Sequence, residues 1–218
     1  IGVGIKFFSG MGTSIERLSP EEIIAKAQRL IEQGQYAKAL EILSGLNISG
    51  NDEKSAELRK KVAGLIKTGT EKALADGKID EVLKTIEELA AKGKYAEALK
   101  LAAIGSSIDG DDENTLALKQ KLKQLEKSIA EKAVQDGRAQ EVIDTAKQLI
   151  ESSQEIPALE LLNLLDIKGN STESRMMRNQ IYSLKKDAVN KALENGRGRE
   201  LLDAIEKKKK NGDSVNAL

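Results

Sequence analysis

Short sequence patterns recur along this 218-residue chain at intervals of 59 or 60 positions. The pentapeptide YAKAL at 36–40 returns as YAEAL at 95–99, and in weaker form as IPAL at 156–159. The turn DGK at 76–78 returns as DGR at 136–138 and as NGR at 195–197. A period of this length is typical of stacked supersecondary units, each too small to bury its apolar face alone. The period therefore predicts an array of repeats.

Each repeat is predicted to hold three helices. Apolar residues at helical spacing predict helix A at 20–33, helix B at 35–44, and a long helix C at 52–75, 112–135 and 171–194 in the three copies. The predicted fold is all-α, a right-handed α-solenoid of stacked helix hairpins with an extended N-terminal arm. The predicted divisions of this single continuous solenoid are the arm at 1–18, repeats at 19–78, 79–138 and 139–197, and a partial fourth repeat at 198–218.

Several helix boundaries carry their own signals. Ser19 is predicted to be the N-cap of the first helix, and Glu22, three residues later, completes a capping box. The glycines of the recurring turn are predicted to end a helix in the left-handed conformation, which glycine adopts without strain: Gly77, Gly137 and Gly196.

The spacing of small and large residues in the A and B helices resembles that of a tetratricopeptide helix pair. The residues that carry the resemblance are Ala27, Leu30, Gly34, Tyr36, Ala39 and Leu43, then Leu89, Gly93, Tyr95 and Ala98, then Ala146, Leu149, Ala158 and Leu162. The chain departs from that family in its longer period, its third helix per unit, and the absence of the family's usual Trp and closing Pro. The resemblance covers roughly residues 20–218 and implies an α-solenoid that binds other proteins.

The amino-acid composition argues against several classes of function for this chain. The 35 basic and 35 acidic residues balance, which argues against a nucleic-acid binder, because such proteins need a basic excess. The chain contains no Cys and no His, the side chains on which thiol nucleophiles, imidazole bases and most zinc sites depend. An enzyme is therefore the least expected class, and we predict no cofactor and no metal. No apolar run reaches the length of about 18 residues needed to span a membrane.

Two local patterns are weighed as ligand-binding sites against a purely structural role. The acidic loop at 109–113 offers carboxylates that suit calcium, but Asp112 also matches a helix N-cap, like Asn51-Asp52 and Asn170-Ser171 in the other copies. The glycine-rich segments at 2–4 and 10–14 lack the spacing of a phosphate-binding loop. Met176 and Met177 are predicted to fill the core of helix C.

The N-terminal arm is the segment of the sequence that most clearly indicates a function. Ile1, Val3, Ile5 and Phe7 alternate with smaller or polar residues, which is a strand period, and Phe8 follows. A segment with a strand period in a helical chain is predicted to dock, either along its own solenoid or on a neighbouring copy. The chain begins with Ile1 rather than Met, which would fit export to an extracellular or periplasmic location, with a cytoplasmic location as the alternative.

The other end of the array is predicted to expose an apolar face. A solenoid normally ends in a polar capping helix, but the fourth repeat has no helix C to cover Leu201, Leu202, Ile205, Val215 and Leu218. We expect a non-catalytic scaffold that assembles head to tail into a filament, with the arm docking on the adjacent subunit. The alternative is a soluble adaptor that binds a peptide or partner protein in its concave groove. A calcium- or nucleotide-dependent enzyme accessory is a weaker third class.

Overall fold

A computed structural model describes residues 18–50 and 52–210 of the chain. Within these residues the fold is all-α, as predicted, with ten helices and no strand. The predicted arm at 1–18 lies almost entirely outside the described residues. The helices are α1 (Pro20–Glu32), α2 (Tyr36–Ser44), α3 (Glu53–Ala75), α4 (Ile79–Ala91), α5 (Tyr95–Gly105), α6 (Glu113–Gln135), α7 (Ala139–Glu151), α8 (Glu155–Asn163), α9 (Thr172–Glu194) and α10 (Gly198–Lys210).

The helix termini follow the signals in the sequence. The Ser19 hydroxyl accepts a hydrogen bond from the Glu22 amide at 3.2 Å, and the Ser19 amide donates to the Glu22 carboxylate at 2.7 Å. This confirms the capping box. Gly77, which ends α3, has φ of +69° and confirms the left-handed stop. Ser153 takes the same conformation after α7, with φ of +59°, at the position where the other two copies have glycine.

The chain divides into two compact units, with the boundary between Leu125 and Glu126 inside α6. In unit 1, α1 packs against α2, α3 packs against both, and α4 packs against α2 and α3. α5 then packs against α2, α3 and α4. The core is aliphatic and fully buried, with its largest side chains on the facing sides of the helices: Ile23, Ile24, Leu40, Leu43, Ile66, Ile86, Leu89 and Leu99. Burial of this apolar surface is what holds the short helices together.

Unit 2 repeats part of this arrangement. α7 packs against α8, α9 packs against both, and α10 packs against α8 and α9. The buried side chains of α7 and α8 include Val142, Ile143, Ala146, Leu149, Leu161 and Leu162. Four helices of unit 2 follow their unit 1 equivalents at a constant spacing of 119 positions (172 minus 53, for example), namely α7 after α1, α8 after α2, α9 after α3 and α10 after α4. Residues that far apart are called counterparts below.

The prediction that Met176 fills the core is wrong. Met176 is exposed on α9, and Met177 is half-buried. The buried stripe of α9 consists of Ile181, Ala188 and Ala192. Met176 lies five residues before Ile181, about 140° around the helix from it, and so falls outside this stripe.

Candidate functional site

An apolar groove lies between α8, α9 and α10, entirely within unit 2, with a cavity volume of about 420 Å³. We call it the unit 2 groove. Its apolar lining comes from all three helices: Ile156 and Leu159 on α8, Ile181, Tyr182 and Val189 on α9, and Leu201 and Ala204 on α10. A concave and mostly apolar surface of this size is typical of a binding site.

Three of the six polar residues that line the unit 2 groove are cationic. They are Arg178, Lys185 and Lys186, and the groove also has one acidic residue, Glu160. Arg178 is fixed in place, because its Nη1 donates to the carbonyl oxygens of Ile167 and Gly169 at 3.0 and 2.8 Å. The groove therefore presents an excess of positive charge beside its apolar floor.

Asn163, at the end of α8, lines the same groove. Its side-chain Oδ1 is buried and has no hydrogen-bond partner within residues 18–50 and 52–210. A buried acceptor without a partner costs free energy of about 1–3 kcal/mol, which a donor supplied by a ligand would recover. This atom marks a position in the groove that is suited to a hydrogen-bond donor.

Exposed large apolar side chains are concentrated in unit 2. Tyr182, which lines the groove, is 74% exposed, and Leu202 on α10 is 61% exposed. Met176 and Leu193 on α9 are also exposed, whereas among the described residues of unit 1 the exposed large apolar side chain is Leu116.

The sequence-predicted C-terminal face is only partly described. Leu201 is buried and lines the unit 2 groove, while its neighbour Leu202 is exposed. The side chain of Ile205 and all of Val215 and Leu218 lie outside the described residues. The five arm residues, Ile1, Val3, Ile5, Phe7 and Phe8, also lie outside them, and their docking stays a prediction.

The acidic loop between α5 and α6 is used for capping and ion pairing. Asp112 accepts from the Thr115 amide at 3.0 Å, and the Thr115 hydroxyl, which donates to the same carboxylate, lowers the pKa of Asp112 below its usual value. Lys67 on α3 donates to Asp109 at 2.8 Å and lowers the pKa of Asp109 in the same way. Across the described part of the chain, no group of three or more potential ligands is placed to hold a metal ion.

A polar cluster in unit 2 was not predicted. The carboxylate of Glu155, which is fully buried, accepts from Asn195 at 2.8 Å and from Arg197 at 2.9 Å. Arg197 also donates to the Ser153 carbonyl oxygen at 3.0 Å, and a further hydrogen bond to Glu200 raises its pKa. The sequence signal was the replacement of the repeated tyrosine, present at 36 and 95, by glutamate at 155.

The unit 1 counterparts form a cluster of different chemistry. The Tyr36 hydroxyl donates to Asp76, the counterpart of Asn195, and this bond raises the pKa of Tyr36. Lys78, the counterpart of Arg197, donates to the Gly34 carbonyl oxygen at 3.1 Å. Both clusters link the start of a B helix to the turn that ends the next C helix.

Comparison with protein-family models, with curated proteins and with solved structures finds no significant match to this chain. The tetratricopeptide resemblance therefore stays a prediction. None of the helices within the described residues is both long enough and apolar enough to cross a membrane.

Proposed function

We propose that this protein is a non-catalytic protein-interaction scaffold built as an α-solenoid, and that it binds partner proteins through the unit 2 groove. The observation that carries the proposal is the groove itself, about 420 Å³ between three helices, with Tyr182 exposed along it. The recurrence of helix lengths from one repeat to the next supports the solenoid. The tetratricopeptide resemblance points to the same functional class.

The charge of the unit 2 groove supports a protein partner rather than an apolar small molecule. Three cationic side chains beside an apolar floor suit a surface that combines apolar residues with carboxylates. Amphipathic peptide segments have this combination, because they place apolar residues on one face and charged residues on the other.

A peptide-display selection tests this function. A library of random 16-residue peptides is selected against the intact chain, and binding clones are then compared on the parent protein and on Tyr182→Asp. Because Tyr182 is exposed, the substitution leaves the core of unit 2 untouched while it places a charge in the groove. We expect enriched clones that bind the parent and lose at least about tenfold in affinity on Tyr182→Asp.

Met176→Asp is the matched control, since Met176 is exposed on the same helix but does not line the groove. Groove-dependent clones should bind this variant as they bind the parent. A selection that yields no clone able to distinguish Tyr182→Asp from the parent would contradict the proposed function.

Self-assembly is the second candidate function, in the form of a head-to-tail filament with the N-terminal arm docked on the next copy. The exposed apolar side chains of α9 and α10 favour it, as does the apolar alternation of Ile1, Val3, Ile5 and Phe7. Sedimentation velocity of the intact chain over a hundredfold range of concentration tests it. A concentration-dependent increase in sedimentation coefficient that is lost on deletion of residues 1–12 is expected, and a monomer at every concentration would reject self-assembly.

A further inference from the structure

The turn between α9 and α10 contains a chemically reactive dipeptide, Asn195-Gly196. Asn195 is the C-cap residue of α9, and Gly196 follows it in the left-handed conformation with φ of +72°. Both residues are exposed to solvent. Asparagine is one of the thermolabile residue types, and a glycine after it obstructs attack on the side-chain amide least, because glycine has no Cβ. The turn therefore holds a labile amide in contact with water.

We propose that Asn195 is a site of spontaneous deamidation, and that its acidic product weakens unit 2 irreversibly. In the first step the backbone nitrogen of Gly196 loses its proton to solvent and bonds to Asn195 Cγ. The Cγ–Nδ2 bond breaks, and the leaving nitrogen takes up a proton and departs as ammonia. Water then opens the succinimide ring at either carbonyl carbon, which gives aspartate or isoaspartate. Water is the co-reactant, and no group is oxidised or reduced.

Two hydrogen bonds restrain the reaction in the folded turn. The Gly196 amide donates to the Leu193 carbonyl oxygen at 3.0 Å, and Asn195 Nδ2 donates to the Glu155 carboxylate at 2.8 Å. The first bond holds the proton that Gly196 must lose, and the second holds the amide that Gly196 must attack. Both bonds have to break before the ring closes, so the reaction rate depends on how often the turn opens locally.

The residue at this position matches the hydrogen-bonding chemistry of its partner in each unit. In unit 1 the counterpart of Asn195 is Asp76, whose carboxylate accepts from the Tyr36 hydroxyl. In unit 2 the partner is the carboxylate of Glu155, and Asn195 supplies the donor. An aspartate is thus suited to unit 1 and an asparagine to unit 2. Deamidation changes position 195 from a donor into an acceptor while its partner stays the same.

The acidic product meets a carboxylate that is already buried. Glu155 is fully buried, and Arg197, which donates to it at 2.9 Å, also donates to Glu200 at 2.6 Å. After deamidation this guanidinium is shared among three carboxylates, at 155, 195 and 200. Like charges at close range destabilise the folded state, most strongly where one of them is out of water. The isoaspartate product also lengthens the backbone by one carbon inside a hydrogen-bonded turn.

The Asn195→Asp variant of the intact chain measures the effect of the product. We expect its Tm to lie about 5 °C below that of the parent. Asn179→Asp makes the same chemical change at an exposed position of α9 and should shift Tm by no more than about 2 °C. In a Glu155→Gln background, where an amide replaces the buried carboxylate, Asn195→Asp should likewise cost less than about 2 °C. An undiminished loss in that background would overturn the role of Glu155.

Deamidation of the folded protein is followed by peptide mapping with mass spectrometry. The intact 218-residue chain is incubated in mildly alkaline buffer with and without urea, and its other Asn-Gly dipeptide, Asn211-Gly212, serves as the reference. In urea the two sites should react at similar rates, because the same dipeptide is unfolded in both. In native buffer we expect product at Asn195 to form measurably, but at least about tenfold more slowly than in urea. Its complete absence from the folded protein would overturn the proposal, and a rate equal to that in urea would overturn the restraint by the two hydrogen bonds.

Calorimetry of the aged protein connects the reaction to its consequence without requiring any variant to fold. The aged parent should contain a less stable population whose share equals the deamidated fraction at Asn195 in the peptide map. Asn195→Gln, which keeps an amide but closes the imide ring far less readily, should show no such population after the same incubation, although Asn211 is still present in it. A parent deamidated at Asn195 that unfolds at the same temperature as the fresh protein would overturn the proposal.

Discussion

The ammonium group of Lys100 on α5 donates a hydrogen bond to the carbonyl oxygen of Ser44, the last residue of α2, at 3.1 Å. A second bond reaches the carbonyl oxygen of Leu46. Burial lowers the pKa of Lys100 to about 8, and the nearby carboxylate of Glu97 only partly opposes this effect. The lysine thus connects the B helices of two consecutive repeats at a cost in desolvation of its charge.

This lowered pKa predicts a rise in stability with pH. Between pH 8 and pH 10.5 the unfolded chain holds more protons at this lysine than the folded chain does, so the free energy of unfolding increases with pH. Since the residue is only partly buried, we expect an increase of about 1–3 kcal/mol. Urea unfolding at pH 7.5, 9 and 10.5 measures it. The increase should disappear in Lys100→Met and persist in Lys92→Met, which changes an exposed lysine; equal slopes in the two variants would contradict the assignment to Lys100.

Gly69 and Gly64 on α3 are predicted to respond in opposite directions to alanine. A Cβ at Gly69 would lie 2.9 Å from Leu40 Cδ2 and 3.4 Å from Ile31 Cδ1, both in the core, whereas a Cβ at Gly64 meets nothing within 4 Å. Gly64→Ala should therefore increase the free energy of unfolding by about 0.5–1 kcal/mol through helix propensity. Gly69→Ala should decrease it, because overpacking costs about 1–3 kcal/mol. Chemical denaturation of both variants checks this, and stabilisation by Gly69→Ala would show that α2 and α3 are less closely packed.

Replacement of Ser153 by glycine should stabilise the folded protein. Its φ of +59° lies in the left-handed region, where a side chain is strained and glycine is not, and the two equivalent positions are Gly34 and Gly93. Ser153→Gly is expected to raise the free energy of unfolding by about 1 kcal/mol. Ser152→Gly is the matched control, because Ser152 has φ of −97° and its hydroxyl donates to the Gln148 carbonyl oxygen. Thermal unfolding should move the two variants in opposite directions, and a decrease in Tm for Ser153→Gly would be evidence against strain.

The buried carboxylate of Glu155 depends on Arg197 for charge compensation. Arg197→Met leaves that carboxylate with Asn195 alone, and we expect a loss of about 2–4 kcal/mol in the free energy of unfolding. The residues of the unit 1 cluster suggest a variant that should restore the lost stability. A triple variant with Glu155→Tyr, Asn195→Asp and Arg197→Lys, which reproduces the unit 1 chemistry, should recover most of that loss. Urea unfolding measures both variants, and a triple variant no more stable than Arg197→Met would show that the two clusters are not interchangeable.

The sequence by itself determined the helices and their ends. The capping box at Ser19 and the glycine turns act within a few residues of chain, so they are readable before any tertiary contact is known. The period of 59 or 60 residues is readable too, because it comes from comparing the sequence with itself. The core residues of the A and B helices were readable for the same reason, because a helical stripe such as Ile23, Ala27 and Ile31 must face the neighbouring helix.

Only the tertiary structure decided which apolar residues remain uncovered. Met176 and Ile181 are both apolar residues of α9, yet one is exposed and the other buried, because they lie about 140° apart around the helix and α9 packs against its neighbours on one face. The same holds for the unit 2 groove, whose lining residues come from three helices that are separated in sequence. In unit 1, for example, α2, α3 and α4 pack against a further neighbour, α5. Local sequence patterns record helix propensity and amphipathicity, but not the presence of that neighbour.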